Sequence, residues 1–304
     1  MLSGLKDRYR RFAFSHRCAD VMLTPPIDLD PTADVSILSQ IRSKDLLMYL
    51  LAVKSFARQV SLRAVHVLDD GTLTNADLAT LEAHIPGHAL HQISDFRSDR
   101  CPDGGTWERL LAISSLVRDS YVVQLDADTL TVGPMDEVNA CAGQGRAFTI
   151  GTWDNQSVES MKERRDVALK YLKYPNAHIQ IVAEANLDKL VDFESRRYIR
   201  GCSGFAGFPK NSFTRGNVER ISEQMYGAIG ERWHQWGTEQ FTSNVLVANM
   251  VNPLVLPHPK YCDCTQPQIS AAVFVHFIGT CRFKDGVYAR FGQNVIASWQ
   301  GVSR

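Results

Sequence analysis

The sequence predicts an α/β protein with a mainly parallel, Rossmann-like sheet flanked by helices, and three observations lead there. Short apolar, β-branched runs alternate with stretches of helical periodicity, the pattern of strand–helix–strand units. Several of those runs end in acidic or glycine-bearing turns, as at Asp69-Asp70-Gly71. The chain has 304 residues, 44% of them hydrophobic, enough for one large core.

The elements follow in order. Residues 1–33 read as an N-terminal extension, 34–284 as one continuous α/β domain and 285–304 as a tail. In the extension, Lys6, Arg8, Arg10, Arg11 and Arg17 alternate with Leu2, Leu5, Tyr9, Phe12 and Phe14. That makes a basic amphipathic helix, expected either to pack on the domain or to touch an anionic membrane surface. Val35-Ser-Ile-Leu is a first strand, and Ser43 a cap for the helix carrying Leu46, Leu47, Leu50, Val53 and Ala57. Ala64-Val-His-Val-Leu is a second strand. Thr74-Asn-Ala-Asp caps a helix that ends before Pro86-Gly87, and His88-Ala-Leu-His-Gln-Ile is a third strand. Gly104-Gly105 opens a helix over about 106–117, which leads into Tyr121-Val-Val-Gln-Leu. Charged residues 154–192 form a helical insertion. Strand-like, glycine-rich sequence returns at 200–209, followed by helices over 211–227 and 238–251 and a closing strand over 272–279.

Charge and cysteine usage set limits. Lys plus Arg and Asp plus Glu both number 33, so no broad electrostatic grip on nucleic acid is expected. No apolar run reaches the ~18 residues of a membrane span. Seven scattered cysteines without a secretory leader point to reduced thiols and a cytoplasmic location. Cys262-Asp-Cys264, with His258 nearby, looks like half a zinc site whose second half is missing.

The most informative segment is Asp126-Ala-Asp128, where a buried strand ends in two carboxylates. On an extended chain, side chains at i and i+2 point the same way. One hard divalent cation could then bridge them to a diphosphate at the sheet edge where α/β proteins bind ligands. By itself, a solvated turn explains the pair equally well. Three further features accompany it: Ser203-Gly204, Glu239-Gln240-x-x-x-Asn244, and His276-x-x-Gly279-x-x-Arg282.

Together these resemble the nucleotide-sugar glycosyltransferases of the GT-A fold, and within it family 8, a retaining group; the likeness covers about 34–284. The resemblance implies a metal, usually manganese, held by Asp126, Asp128 and His276. It implies a diphosphate held by Arg282, where the family carries lysine, with Gly279 letting the backbone approach. The family's Pro-Trp after that position is replaced by Phe283-Lys284. Glu239 and Gln240 match the catalytic segment, with glutamate for the family's aspartate, and Ser203, Gly204 and Asn244 match its sugar contacts. Ser39, Asp69, Asp70 and Arg109 are candidate contacts to the donor nucleotide, a UDP-sugar in this reading. The acceptor is left open among a glycan, a lipid-linked sugar and a protein, with Trp233 and Trp236 as candidates to shape its site. Three other readings stay open. A haloacid dehalogenase-type phosphatase would need threonine at Leu130. A sugar nucleotidyltransferase would need a glycine-rich basic first strand. A non-catalytic nucleotide-sugar-binding protein would need neither.

Overall fold

The structure is a computed structural model that describes residues 2–174, 176–279 and 281–299, with side chains from residue 6 onward. Its strands are β1 (Val35–Ile41), β2 (Leu62–Asp69), β3 (Ala89–Gln92), β4 (Tyr121–Leu125), β5 (Thr129–Thr131), β6 (Phe148–Gly151), β7 (Glu159–Ser160), β8 (Arg197–Tyr198), β9 (Gly201–Phe208), β10 (Leu254–Leu256), β11 (Tyr261–Asp263) and β12 (Phe274–His276). The helices are α1 (Leu2–Arg17), α2 (Leu46–Ala57), α3 (Asn75–His84), α4 (Trp107–Leu116), α5 (Asp136–Gly143), α6 (Met161–Tyr171), α7 (Ile179–Ala185), α8 (Arg215–Ile229), α9 (Thr238–Ala248) and α10 (Val287–Trp299). Two compact units result: residues 1–91, 125–136 and 258–304 form the first, and 92–124 and 137–257 the second. The main sheet has seven strands and is mainly parallel. The expected fold class is what the chain adopts.

In the first unit β1, β2 and β3 lie side by side, with β1 and β2 parallel. Val35, Ile37, Leu38 and Ile41 of β1 are all buried, as expected of a strand covered on both faces. Helix α2 is buried nearly all round, so its apolar residues are not confined to one stripe. Its cap is Asp45 rather than Ser43, because a short 3-10 turn over Ser43–Asp45 comes first. Helix α3 carries the expected cap: Thr74 and Asp77 form a reciprocal capping box. A separate sheet, ordered β11-β12-β5, pairs β12 antiparallel to β5. The expected closing strand over 272–279 is only the three residues of β12.

Residues 287–299, expected as tail, form α10 and cover the first unit. A Cβ on Gly292 would meet Cys18 Sγ and Leu51 Cδ2 at 2.9 Å each, so the close approach of α10 requires glycine. The N-terminal helix packs here too, with Phe14 against Tyr288 at 4.5 Å and Arg17 hydrogen-bonded to Gln293. Cys264 and Cys281 form a disulfide, which corrects the expectation of seven reduced thiols. The same bond removes Cys264 from any zinc site. Cys262 is fully buried, and burial pushes its thiol pKa up to about 12.

In the second unit the sheet order is β10-β6-β9-β4, with β6 parallel to β10 and antiparallel to β9. The helical insertion is α6 and α7, with the small β7–β8 ladder beside it. Glu163 and Ser160 cap α6 reciprocally. Helix α8 starts four residues later than expected, where Thr214 and Asn217 form its capping box. Trp233 is a core residue: its indole N–H donates to Ser222 Oγ, and Trp107 and Phe241 meet its ring edge-on. Trp236, by contrast, is 70% exposed.

Candidate metal centre and a buried ionic cluster

Two clusters collect most of the candidate residues, one in each unit. The first begins where β4 ends. Ser39 of β1 is fully buried and donates its hydroxyl to the Leu125 carbonyl at 2.6 Å, which fixes the strand end just before Asp126. Ser39 therefore acts on the backbone in this structure. Residues 126–128 are not extended as expected. The Thr129 amide and hydroxyl both donate to the Asp126 carbonyl, at 3.2 and 2.8 Å, folding the chain into a turn. The two carboxylates converge all the same.

β12 supplies the third group. Its register sets His276 opposite Thr129, one residue beyond Asp128, and the Phe277 amide donates to the Asp128 carbonyl at 2.8 Å. His276 Nε2 lies 3.2 Å from Asp128 and 3.7 Å from Asp126. One ligand atom from each of Asp126, Asp128 and His276 falls within 4.8 Å of the others, the one such group among the described residues. Asp128 and His276 are buried, and Asp126 is half-buried. Two carboxylates and an imidazole form an oxygen-and-nitrogen donor set that fits manganese or magnesium.

Arg282 is also here, but differently from expectation: its guanidinium bonds Asp128 directly. Burial alone would raise the Asp128 pKa. The charges and hydrogen bonds of His276 and then Arg282 outweigh it and hold the carboxyl below its usual value. Gly279 is exposed, with open space where a Cβ would stand. Asp69 is buried and accepts the amides of Gly71, Thr72 and Leu73. Asp70 accepts the amide and hydroxyl of Thr72. Both carboxylates thus hold the turn after β2.

The second cluster lies in the second unit. Glu239, in the first turn of α9, is 1% exposed and sits 3.7 Å from the buried Arg109 of α4. Arg109 also reaches the Ser203 carbonyl, and the Ser203 hydroxyl lies 3.3 Å from Gln240 Oε1. Asn244 is spent inside the fold, accepting from the Gly201 amide and donating to the Tyr198 hydroxyl. A Cβ on Gly201 would strike Thr149, which explains glycine ahead of Cys202-Ser203-Gly204. Cys202 and Gln240 are half-buried; Ser203 and Gly204 are buried in β9.

Sequence reading missed Thr106. Its hydroxyl donates to Glu239 at 3.0 Å, and its backbone is left-handed at φ 73°. A β-branched residue avoids that region, at a cost of order 1–2 kcal/mol. Gly104 and Gly105 before it are left-handed too. The signal lay in Gly-Gly-Thr at a helix start where threonine makes no side-chain cap bond.

No family model and no curated protein sequence matches the chain. Solved structures do. A WbbM bifunctional glycosyltransferase matches at 12% identity over 84% of this chain and a TM-score of 0.48; the chain spans 47% of that protein. The galactosyltransferase LgtC, solved with donor and acceptor sugar analogues, matches at 12% over 88% of this chain and all of its own, with a TM-score of 0.43. Core-mannan synthase A from Aspergillus fumigatus, in an Mn/GDP form, matches at 9% over 74% of each chain with the same score.

Proposed function

We propose that the protein is a glycosyltransferase that moves a hexose from a nucleoside-diphosphate sugar, with UDP as the nucleotide and manganese as the metal. The observation that carries this reading is the convergence of Asp126, Asp128 and His276 beside Arg282. A divalent ion held by the three would neutralise charge on the departing diphosphate as a Lewis acid.

The chain's own residues do the rest. Arg282 holds Asp128 and offers its guanidinium fork to a phosphate oxygen. Gly279 leaves open space for that approach. The turn at Asp69-Asp70, whose carboxylates hold its own backbone, would meet the nucleoside. In the second unit, Thr106 holds the buried Glu239, which sets the charge around Arg109. Retention of anomeric configuration rests on the family 8 resemblance. The same four motifs speak for transfer over the nucleotidyltransferase and phosphatase readings.

Thermal melting of the purified chain with nucleotides tests the proposal. UDP with manganese should stabilise it, by about 2.7 kcal/mol at 100 times the dissociation constant. Equal stabilisation by UDP in chelator would reject the metal bridge, and a larger response to GDP would reject UDP as the donor nucleotide.

A further inference from the structure

The proposed diphosphate residues border a cluster of cations that this reading uses only in part. Helix α1 and the turn after β12 border a cleft of about 260 Å³ that shares Gly279 and Arg282 with the proposed diphosphate site and adds Arg8, Arg10, Arg11, Phe283 and Lys284, with Asp7 as the acid among them. Two of these cations are already balanced. Arg11 bonds Asp45 at 2.8 Å and lies over the Phe283 ring at 5.1 Å, and Arg282 bonds Asp128. Arg10 leans on Asp7 at 3.6 Å, a pair in which the acid is 73% exposed and therefore well screened. Among the described residues, Arg8 and Lys284 form no ion pair with a carboxylate.

Clustered like charges raise the energy of the folded chain unless an anion joins them. The helix carrying the arginines is also anchored. Cys18, just beyond its end, is buried against α10, and Phe14 packs between Phe283 and Tyr288. The helix is thus fixed beside the cleft before any ligand arrives. The space is small for a sugar nucleotide, since whole-ligand pockets run to ~300–1,000 Å³. A tetrahedral oxyanion with several acceptor oxygens matches guanidinium and ammonium donors.

We infer that Arg8, Arg10 and Lys284 extend this cleft into a phosphate-binding site that takes its ligand without the metal. Its ligand is a phosphate group, carried either by the donor or by a phosphorylated acceptor. The inference shares Gly279 and Arg282 with the donor reading, and a titration without metal or nucleotide lets the two fail separately.

Calorimetric titration of the full chain with inorganic pyrophosphate, in chelator and at low ionic strength, tests it. Binding is expected, weakening as salt rises. The double variant Arg8→Glu/Lys284→Glu, both residues being exposed, should melt as the wild type does and bind pyrophosphate at least tenfold more weakly. No binding in chelator, or undiminished binding by the double variant, would overturn the inference. Repeating the titration with saturating UDP and manganese separates the sources. Displacement assigns the cleft to the donor's diphosphate, and retained binding assigns it to a phosphate on the acceptor.

Discussion

Asp128 is shared by His276 and Arg282, and this makes the residues around it fail in different ways. His276→Ala removes a metal donor, so manganese affinity should fall, and excess manganese should recover part of the activity. Arg282→Ala removes the competitor for Asp128. It should bind manganese at least as tightly as the wild type, in a paramagnetic-resonance titration, yet demand more donor. A lost charge-assisted contact costs about 1.5–3 kcal/mol, a factor of about ten to a hundred in donor affinity. Parallel, unrescued losses in both variants would reduce the turn after β12 to scaffolding. The buried cluster offers a second comparison. Glu239→Gln should lower kcat sharply while leaving UDP affinity near normal. Thr106→Gly should melt no lower than the wild type, since glycine relieves the left-handed backbone, but should share the fall in kcat. Normal turnover in both would make Glu239 and Thr106 structural.

At the scale of elements, α2 depends on a buried cation. Lys54 is 3% exposed and donates to the Thr24 hydroxyl at 3.0 Å and to the Pro25 carbonyl at 2.5 Å. Burial, helped by the nearby Arg58 charge, lowers its pKa from 10.5 to about 8. Between those values the unfolded chain binds more protons at this site than the folded one, so Lys54 should make stability rise with pH from about 8 to 10.5. Lys54→Met should lose that rising limb. At pH 7 it should also be less stable by about 1–3 kcal/mol, because the oxygens around Lys54 are left without a donor. Chemical denaturation of both proteins across this range checks the two effects. The elements most legible in the sequence are those with local cause. Thr74 and Asp77 announce α3, and the apolar run of β4 stops at Asp126. β5, β11 and β12 have three residues each, exist only through their pairing, and leave no periodicity to read. Helix α10 has a helical period but stands beyond the last recognisable motif, at Arg282, with no motif of its own. Of Asp126, Asp128 and His276, only the two aspartates have a local spacing to read; His276 joins them in the sequence through the family resemblance alone. The role of Arg282 toward Asp128 is not legible, since a salt bridge 154 residues apart in sequence has no local signature.

For the molecule as a whole, 33 positive and 33 negative side chains and an isoelectric point near 7.1 leave little charge to keep copies apart at neutral pH. Light scattering should therefore show a solubility minimum close to pH 7, relieved by moving a unit or more to either side; a flat profile would show that local charge patches dominate. The bond between Cys264 and Cys281 has a consequence for whoever prepares the protein. It closes a covalent ring, with a sequence separation of 17, and β12 with His276 lies inside that ring. Cross-links of this size remove about 3 kcal/mol of chain entropy from the unfolded state. Two samples of identical sequence, one handled with a thiol reductant and one without, are then different compounds at the very segment that brings His276 to Asp128. They are separable by the mass of two hydrogens, and their activities should be compared only after that mass has been read.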